Sequence, residues 1–262
     1  MKSEFDWFIE GSNFFKYGQY ENAIACFDKV IELNPDDSLA WHSKGESLDN
    51  LECYEEAIVC YDKAIELVPD DFYAWYSKGV SLKNLGYYEK AIVCYDKVIE
   101  LVPDHFGAWN NRGISLGKLG LHEEAIVCFE KMIKLKPNAS GAWYNKGVSL
   151  NRLGRNKEAI ECYEEALKLK LDNSDAWNNK GVSLYNLGRY AEAIDCYEEA
   201  LKLKLEHFYA WNNKGVSLQN LGHNEKAIAC FDEAIKLKPD HSNARNNKGK
   251  SFCKLLMFRT SL

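Results

Sequence analysis

The sequence predicts an all-α chain, an α-solenoid of seven 34-residue helix-turn-helix repeats and part of an eighth, and three observations carry that expectation. All seven tryptophans, Trp7, Trp41, Trp75, Trp109, Trp143, Trp177 and Trp211, fall in one column when the chain is written in blocks of 34. All five prolines, Pro35, Pro69, Pro103, Pro137 and Pro239, fall in another. An alanine column runs between them through Ala23, Ala57, Ala91, Ala125, Ala159, Ala193 and Ala227. Such a period marks units that cannot bury a core alone and bury it by stacking on neighbours.

Residues 72–105, FYAWYSKGVSLKNLGYYEKAIVCYDKVIELVPDH, define the unit, with Phe72 as repeat position 1. Trp75, Gly79, Leu82 and Leu85 are spaced by four, three and three, which is one face of a first helix. Tyr88, Ala91, Ile92, Tyr95, Val98 and Ile99 form a second stripe near the 3.6 period. Gly86 between them supplies the left-handed residue that stops a helix at little cost. Pro103 stops the second helix. Position 8 is glycine in every copy, from Gly11 and Gly45 through Gly215 to Gly249. A helical glycine costs roughly 1 kcal/mol against alanine, so the column implies a close approach of the paired helices near Gly79 and Ala91. Trp75 and Tyr95 read as aromatic core.

In chain order the copies occupy 4–37, 38–71, 72–105, 106–139, 140–173, 174–207 and 208–241, with a partial eighth, or capping helix, at 242–262. The first begins at Glu4 with no cap ahead of it. Its Phe5, Phe8, Phe14 and Phe15 make either a self-covering end or a contact surface. The second has Glu52 in place of the inter-helix glycine, so a distorted turn is expected there. The fifth and sixth have Leu171 and Leu205 in place of proline, so longer second helices are expected. The eighth puts Arg245 in the tryptophan column, keeps Gly249, and runs through Phe252, Leu255, Leu256, Met257 and Phe258. That is more apolar than the outer face of a capping helix. The tail folds back on repeat seven, forms a dimer, or continues in a longer array.

A solenoid grows in one dimension, so one domain is expected despite the length. Residues 1–105 hold 9 Lys and Arg against 21 Asp and Glu, a charge of −12, while 106–262 hold 24 against 18, or +6. Most of these are solvated helix faces; the alternative is head-to-tail association or a partner with separate charged regions. There is no apolar run of about 18 residues, so no membrane span is expected. The start, MKSEFDWFIEG, lacks the basic end and apolar core of a secretory signal, and a cytoplasmic location is expected. Cys26, Cys60, Cys94, Cys128, Cys162, Cys196 and Cys230 share position 23. Stacked helices sit roughly 8–10 Å apart and a disulfide needs Cα atoms within about 7 Å, so these read as small buried thiols. No CxxC or clustered histidine points to a metal, and no cofactor is expected. GxxxxGK[ST], GxGxxG, HExxH and GxSxG are absent, and the six histidines line up no nucleophile. Basic residues of the second half alternate with leucines at helix ends, without a stacking platform, so nucleic acid is not expected as a partner.

The pattern of Trp, small Gly, large apolar, Gly, Tyr, Ala, aromatic, small apolar and Pro resembles the tetratricopeptide (TPR) repeat over residues 4–241. The resemblance implies a right-handed superhelix whose first helices line a concave face, with positions 2, 5, 6, 9, 12 and 13 pointing into it. The chain departs at position 7, usually leucine in the family, which here is Glu10, Lys44, Lys78, Arg112, Lys146, Lys180, Lys214 and Lys248. A lysine there can lay its stem on a neighbouring helix with its ammonium in water.

Position 6 is Asn111, Asn145, Asn179, Asn213 and Asn247 in the last five copies, although asparagine is a mediocre helix former. An amide offers a donor and an acceptor and can pair with the backbone of an extended peptide. The column resembles the asparagine ladder of the O-GlcNAc transferase TPR superhelix, and the resemblance implies a polypeptide-holding role for these five residues. Position 9 adds Val80, Ile114, Val148, Val182 and Val216, and position 13 adds Asn186 and Asn220. An apolar floor with amide walls suits an extended segment of a partner protein. The bland alternatives are a recent duplication without a ligand, or packing of each Asn against the next repeat. The TPR clamp for acidic chaperone tails needs lysine at position 5, and none is present. The expected function is therefore a non-enzymatic protein-interaction scaffold. Its alternatives are a module self-associating through its apolar ends, or the targeting arm of a longer enzyme such as a glycosyltransferase.

Overall fold

The computed structural model describes residues 2–260, with side chains over 2–256, and among them every regular element is an α-helix. Eight first helices of the hairpins are α1 (Glu4–Lys16), α3 (Ser38–Asn50), α5 (Phe72–Asn84), α7 (Phe106–Lys118), α9 (Ser140–Arg152), α11 (Ser174–Asn186), α13 (Phe208–Asn220) and α15 (Ser242–Thr260). Seven second helices are α2 (Tyr20–Leu33), α4 (Tyr54–Leu67), α6 (Tyr88–Leu101), α8 (His122–Leu135), α10 (Asn156–Leu169), α12 (Tyr190–Leu203) and α14 (Asn224–Leu237). Contacts divide the chain into two compact units, residues 1–135 and 136–262. In each, a second helix packs on its own first helix and on the first helix that follows.

The hairpins form where sequence chemistry supplies both stops. Gly18, Gly86, Gly120, Gly154, Gly188 and Gly222 take positive φ between the paired helices. At Gly86 the carbonyls left over by α5 are bonded, with Tyr87 N–H donating to the Leu82 carbonyl at 2.9 Å. Repeat two keeps this geometry rather than distorting. Glu52 itself adopts φ 61°, and Cys53 N–H reaches the Leu48 carbonyl at the same 2.9 Å. The hydrogen bonds of the turn outweigh the steric cost of a left-handed non-glycine residue. At the other end, position 34 caps the next helix: Asp37, Asp71 and Asn173 accept from its N–H groups, and so do the Nδ1 atoms of His105 and His207.

Two further expectations are corrected. α1 does have a cap: the Ser3 hydroxyl accepts from Asp6 N–H at 3.2 Å while the Asp6 carboxylate accepts from Ser3 N–H at 2.9 Å, a reciprocal capping box. The second helices of repeats five and six are not longer, since α10 and α12 have 14 residues like α6. The extended backbone of Lys170 and Lys204 ends them without proline.

The core runs between paired helices. In unit 1, Leu82, Ala91, Cys94, Tyr95, Val98 and Ala108 cluster; in unit 2, Leu184, Ala193, Cys196, Tyr197, Ala200 and Ala210 repeat the arrangement. The position 8 glycine faces an aromatic ring rather than the alanine column. A Cβ on Gly79 would meet Tyr95 Cε1 at 2.7 Å, and one on Gly181 would meet Tyr197 Cε1 at 2.5 Å. Glycine is thus required by the ring that fills the crossing point. At the ends, Phe5 is exposed, Phe8, Phe14 and Phe15 are half-buried, and Phe252 and Leu256 are exposed. Met257 and Phe258 lie outside the residues whose side chains are described.

Candidate functional site: the asparagine rows of the first helices

The sequence places an amide at position 6 of each first helix, and the stacking of repeats decides what that amide meets. In unit 1, the Asn111 Nδ2 donates to the Tyr76 hydroxyl at 3.0 Å, one repeat back, and its Oδ1 accepts from Lys83 Nζ at 3.1 Å. In unit 2, Asn179 Nδ2 donates to the Tyr144 hydroxyl at 3.1 Å and Asn213 Nδ2 to the Asn178 Oδ1 at 3.2 Å. Their Oδ1 atoms accept from the adjacent amides of Asn178 at 3.1 Å and Asn212 at 3.4 Å. At Asn111, Asn179 and Asn213, position 6 therefore ties a first helix to position 5 of the preceding one. Repeats two and three do the same with His42 Nε2 and the Ser77 hydroxyl at 3.4 Å.

An amide has two N–H groups and two lone pairs. Each of these three asparagines is pinned at both ends and keeps one donor and one acceptor in reserve. Asn111 is buried, whereas Asn145, Asn179, Asn213 and Asn247 are half-buried. The carbonyls of Asn145 and Asn247 accept from Ser149 and from Gln219 Nε2. The position 9 residues Val80 and Ile114 in unit 1, and Val148, Val182 and Val216 in unit 2, are all half-buried. Asn186 and Asn220 are exposed and bonded across repeats, to Asn156 Oδ1 at 3.3 Å and to the Tyr185 hydroxyl at 3.2 Å. Burial raises the Tyr76 and Tyr144 hydroxyls and lowers the Lys83 ammonium.

Sequence reasoning missed a row beside this one. Position 10 is serine from Ser47 through Ser81, Ser115, Ser149, Ser183 and Ser217 to Ser251, and every one is buried. Ser47, Ser81, Ser115 and Ser149 donate to the carbonyl four residues back. Position 12 of the preceding repeat supplies a second partner: Asp49 to Ser81 at 2.7 Å, Asn151 to Ser183 at 2.9 Å and Gln219 to Ser251 at 2.7 Å. The column is as regular as the tryptophans and could have been found by the same ruler.

The remaining columns serve cohesion. The indole N–H of Trp75 donates to the Pro69 carbonyl at 2.8 Å, six residues back, and Trp177 and Trp211 reach the carbonyls of Leu171 and Leu205 in the same way. The clip uses the carbonyl, which explains why leucine can replace proline. Position 7 lysines pair with an acid on the preceding second helix, as Lys44 with Asp28 at 2.6 Å and Lys180 with Glu164 at 2.8 Å. The column cysteines are buried and not joined in disulfides, and burial pushes the thiols of Cys60, Cys94 and Cys196 up to about 11, away from nucleophilic thiolate. Among the described residues no group of three His, Cys, Asp or Glu could hold a metal, and no helix is long and apolar enough to cross a membrane.

Family models described as tetratricopeptide repeat match residues 7–37, 72–105, 107–139 and 208–241, and others of the same description match 26–59, 144–204 and 178–222, with a TPR repeat model at 52–86. The chain belongs to the tetratricopeptide repeat family. No curated protein matches it in sequence. Among solved TPR structures, YrrB, described as a TPR protein with an unusual peptide-binding site, is 27% identical over 72% of this chain and 97% of its own, at TM-score 0.60. A tetratricopeptide repeat protein from Parabacteroides merdae is 14% identical over 95% of this chain and 98% of its own, at TM-score 0.71. MamA from Desulfovibrio magneticus is 21% identical over 65% and 96%, at TM-score 0.63. The last two establish likeness of fold alone.

Proposed function

We propose that this TPR chain is a non-catalytic scaffold that binds an extended segment of a partner protein along its first helices. Asn111, Asn145, Asn179, Asn213 and Asn247 address the partner's backbone, beside Val80, Ile114, Val148, Val182 and Val216, with Asn186 and Asn220 at the rim. The observation that carries the reading is the state of Asn179 and Asn213: each amide is fixed at both ends, yet retains one N–H and one lone pair beside half-buried Val182 and Val216. A prepositioned amide loses little entropy on pairing with a peptide group. The likeness to YrrB, described as having a peptide-binding site, points the same way.

The asparagines also join repeats, so replacing Asn145, Asn179 and Asn213 together by alanine is expected to reduce partner capture at least tenfold and also to lower stability, by about 1 kcal/mol for each tie lost. Tyr144→Phe separates the two effects. It removes the tie to Asn179 while leaving the amide in place, so capture should persist. A photo-crosslinking residue at Val182 or Val216 should label the captured partner, and one at Asp195 on α12 should not. Capture undiminished by the triple substitution, or labelling from Asp195 alone, defeats the proposal.

A further inference from the structure

One joint between first helices carries a charge that nothing in the chain answers. Lys83, at position 12 of α5, is half-buried, and its partner among the described residues is the neutral Asn111 Oδ1 at 3.1 Å. No described carboxylate pairs with it, and burial lowers its ammonium. The acid at the same position one repeat back, Asp49, is taken up by the Tyr61 and Ser81 hydroxyls. A cation withdrawn from water without a counter-ion is costly. No other copy has a base at position 12, so the cost is peculiar to this joint and is not required by the repeat.

The groups beside Lys83 are left with donors. Lys83 Nζ donates to Asn111 Oδ1, and Asn111 Nδ2 donates in turn to the Tyr76 hydroxyl at 3.0 Å. An ammonium has three N–H groups, an amide two and a phenol one O–H. Two N–H groups of Lys83, one of Asn111 and the Tyr76 O–H are therefore not used within the chain. The complement of a positive, donor-rich row is a carboxylate, which only accepts. The joint of repeats five and six has the same tie, Asn179 to Tyr144, but with Asn151 in place of Lys83 and Asp175 in place of Gly107. There the Asp175 charge adds to burial in raising the Tyr144 hydroxyl. At Gly107 there is no such acid, and a Cβ would meet the Tyr76 hydroxyl oxygen at 2.8 Å, so glycine leaves that hydroxyl its place. Gly117, at position 12 of the next helix, adds room, since a Cβ there meets nothing within 4 Å.

An asparagine row offers a peptide backbone the same pair of bonds at every repeat, so it holds a segment without fixing where along the row the segment sits. A single charged site breaks that equivalence. We propose that Lys83, with Tyr76 and Asn111, is a carboxylate site that sets the register of the extended partner segment by taking one of its acidic groups. This inference rests on the scaffold reading above and adds to it a specificity determinant. The carboxylate can come from an aspartate or glutamate side chain or from the segment's C-terminus.

The probe is a random library of short synthetic peptides, screened against the full chain in two arms: one N-acetylated and C-amidated, the other free of acidic residues but with a free C-terminal carboxylate. Wild type should select peptides from one arm with a carboxylate at a fixed place, and the arm that yields them names its source. Changing that carboxylate to an amide should weaken binding roughly tenfold in wild type and leave it unchanged in Lys83→Gln. Lys83→Glu should select lysine or arginine instead, a reversal that a purely structural lysine would not produce. Glutamine can keep the bond to Asn111 and removes the unanswered charge, so Lys83→Gln should melt no lower than wild type and keeps the test valid if Lys83→Glu fails to fold. Peptides selected without regard to a carboxylate, or a carboxylate preference that survives Lys83→Gln, overturn this site while leaving the scaffold standing. A wild-type chain that selects no peptide from either arm overturns both.

Discussion

The two units join their first helices through the same repeat positions and fill them with different chemistry. In unit 1 the joints carry charge: Asp49 accepts from Tyr61 and Ser81, Lys83 donates to Asn111, and His42 lies 3.8 Å from Glu46 as it meets Ser77. In unit 2 the corresponding joints are neutral, with Asn151, Asn178, Asn179, Asn213 and Gln219 paired to amides, hydroxyls and carbonyls. A charge at such a joint is taken out of water, and the strain shows as a raised Asp49 carboxyl and a lowered Lys83 ammonium, burial being the leading cause in each. An amide at the same place loses less hydration and has both a donor and an acceptor. The repeat geometry thus specifies a hydrogen-bonding joint but not its charge.

The largest expected break in this comparison is Tyr61→Phe, which removes the 2.8 Å bond to the half-buried Asp49 carboxylate and should cost about 1–3 kcal/mol in urea unfolding. Tyr95→Phe, one repeat on, should be neutral or slightly stabilising, because the buried Tyr95 hydroxyl has no partner and Phe27, Phe129 and Phe231 already occupy that column. A smaller effect is expected from Asp49→Asn, which gives unit 1 the joint used by Asn151. The folded state raises the Asp49 pKa, so it binds the proton more tightly than the unfolded chain does. That group favours the fold below the ordinary aspartate range, and its contribution is lost as pH rises through the raised value. The variant should therefore be at least as stable as wild type at pH 7, and its advantage should shrink as the pH is lowered toward 4. The smallest effect belongs to unit 2. Arg189 lowers the exposed Glu192 carboxyl, which contributes above the ordinary glutamate range and ceases to contribute as pH falls through its lowered value. Glu192→Gln should leave the melting temperature at neutral pH unchanged and reduce only the acid-side loss.

The hairpins were readable because each is written in local chemistry: a glycine that can turn left-handed, stripes of period 3.6, and a stop. Asn111 and Asn179 were readable as members of a column. Their engagement with Tyr76 and Tyr144 was not, because it depends on how far one hairpin is displaced from the last. The alternative expected position 6 to pack against the next repeat, whereas these amides reach back to the preceding one. Ser183 was missed because serine within a helix has no apolar signal; only its burial beside Asn151 reveals a joint. Leu171 illustrates the opposite error. Proline was credited with ending the helix, when the structure uses the carbonyl at that position to hold Trp177.

By itself the sequence determined the repeat, its helices and the turn between them, since all of these follow from residues within one 34-residue block. Only the tertiary structure decided which polar groups are consumed in stacking and which keep a free donor and acceptor. Those depend on distances between blocks, which no single block encodes.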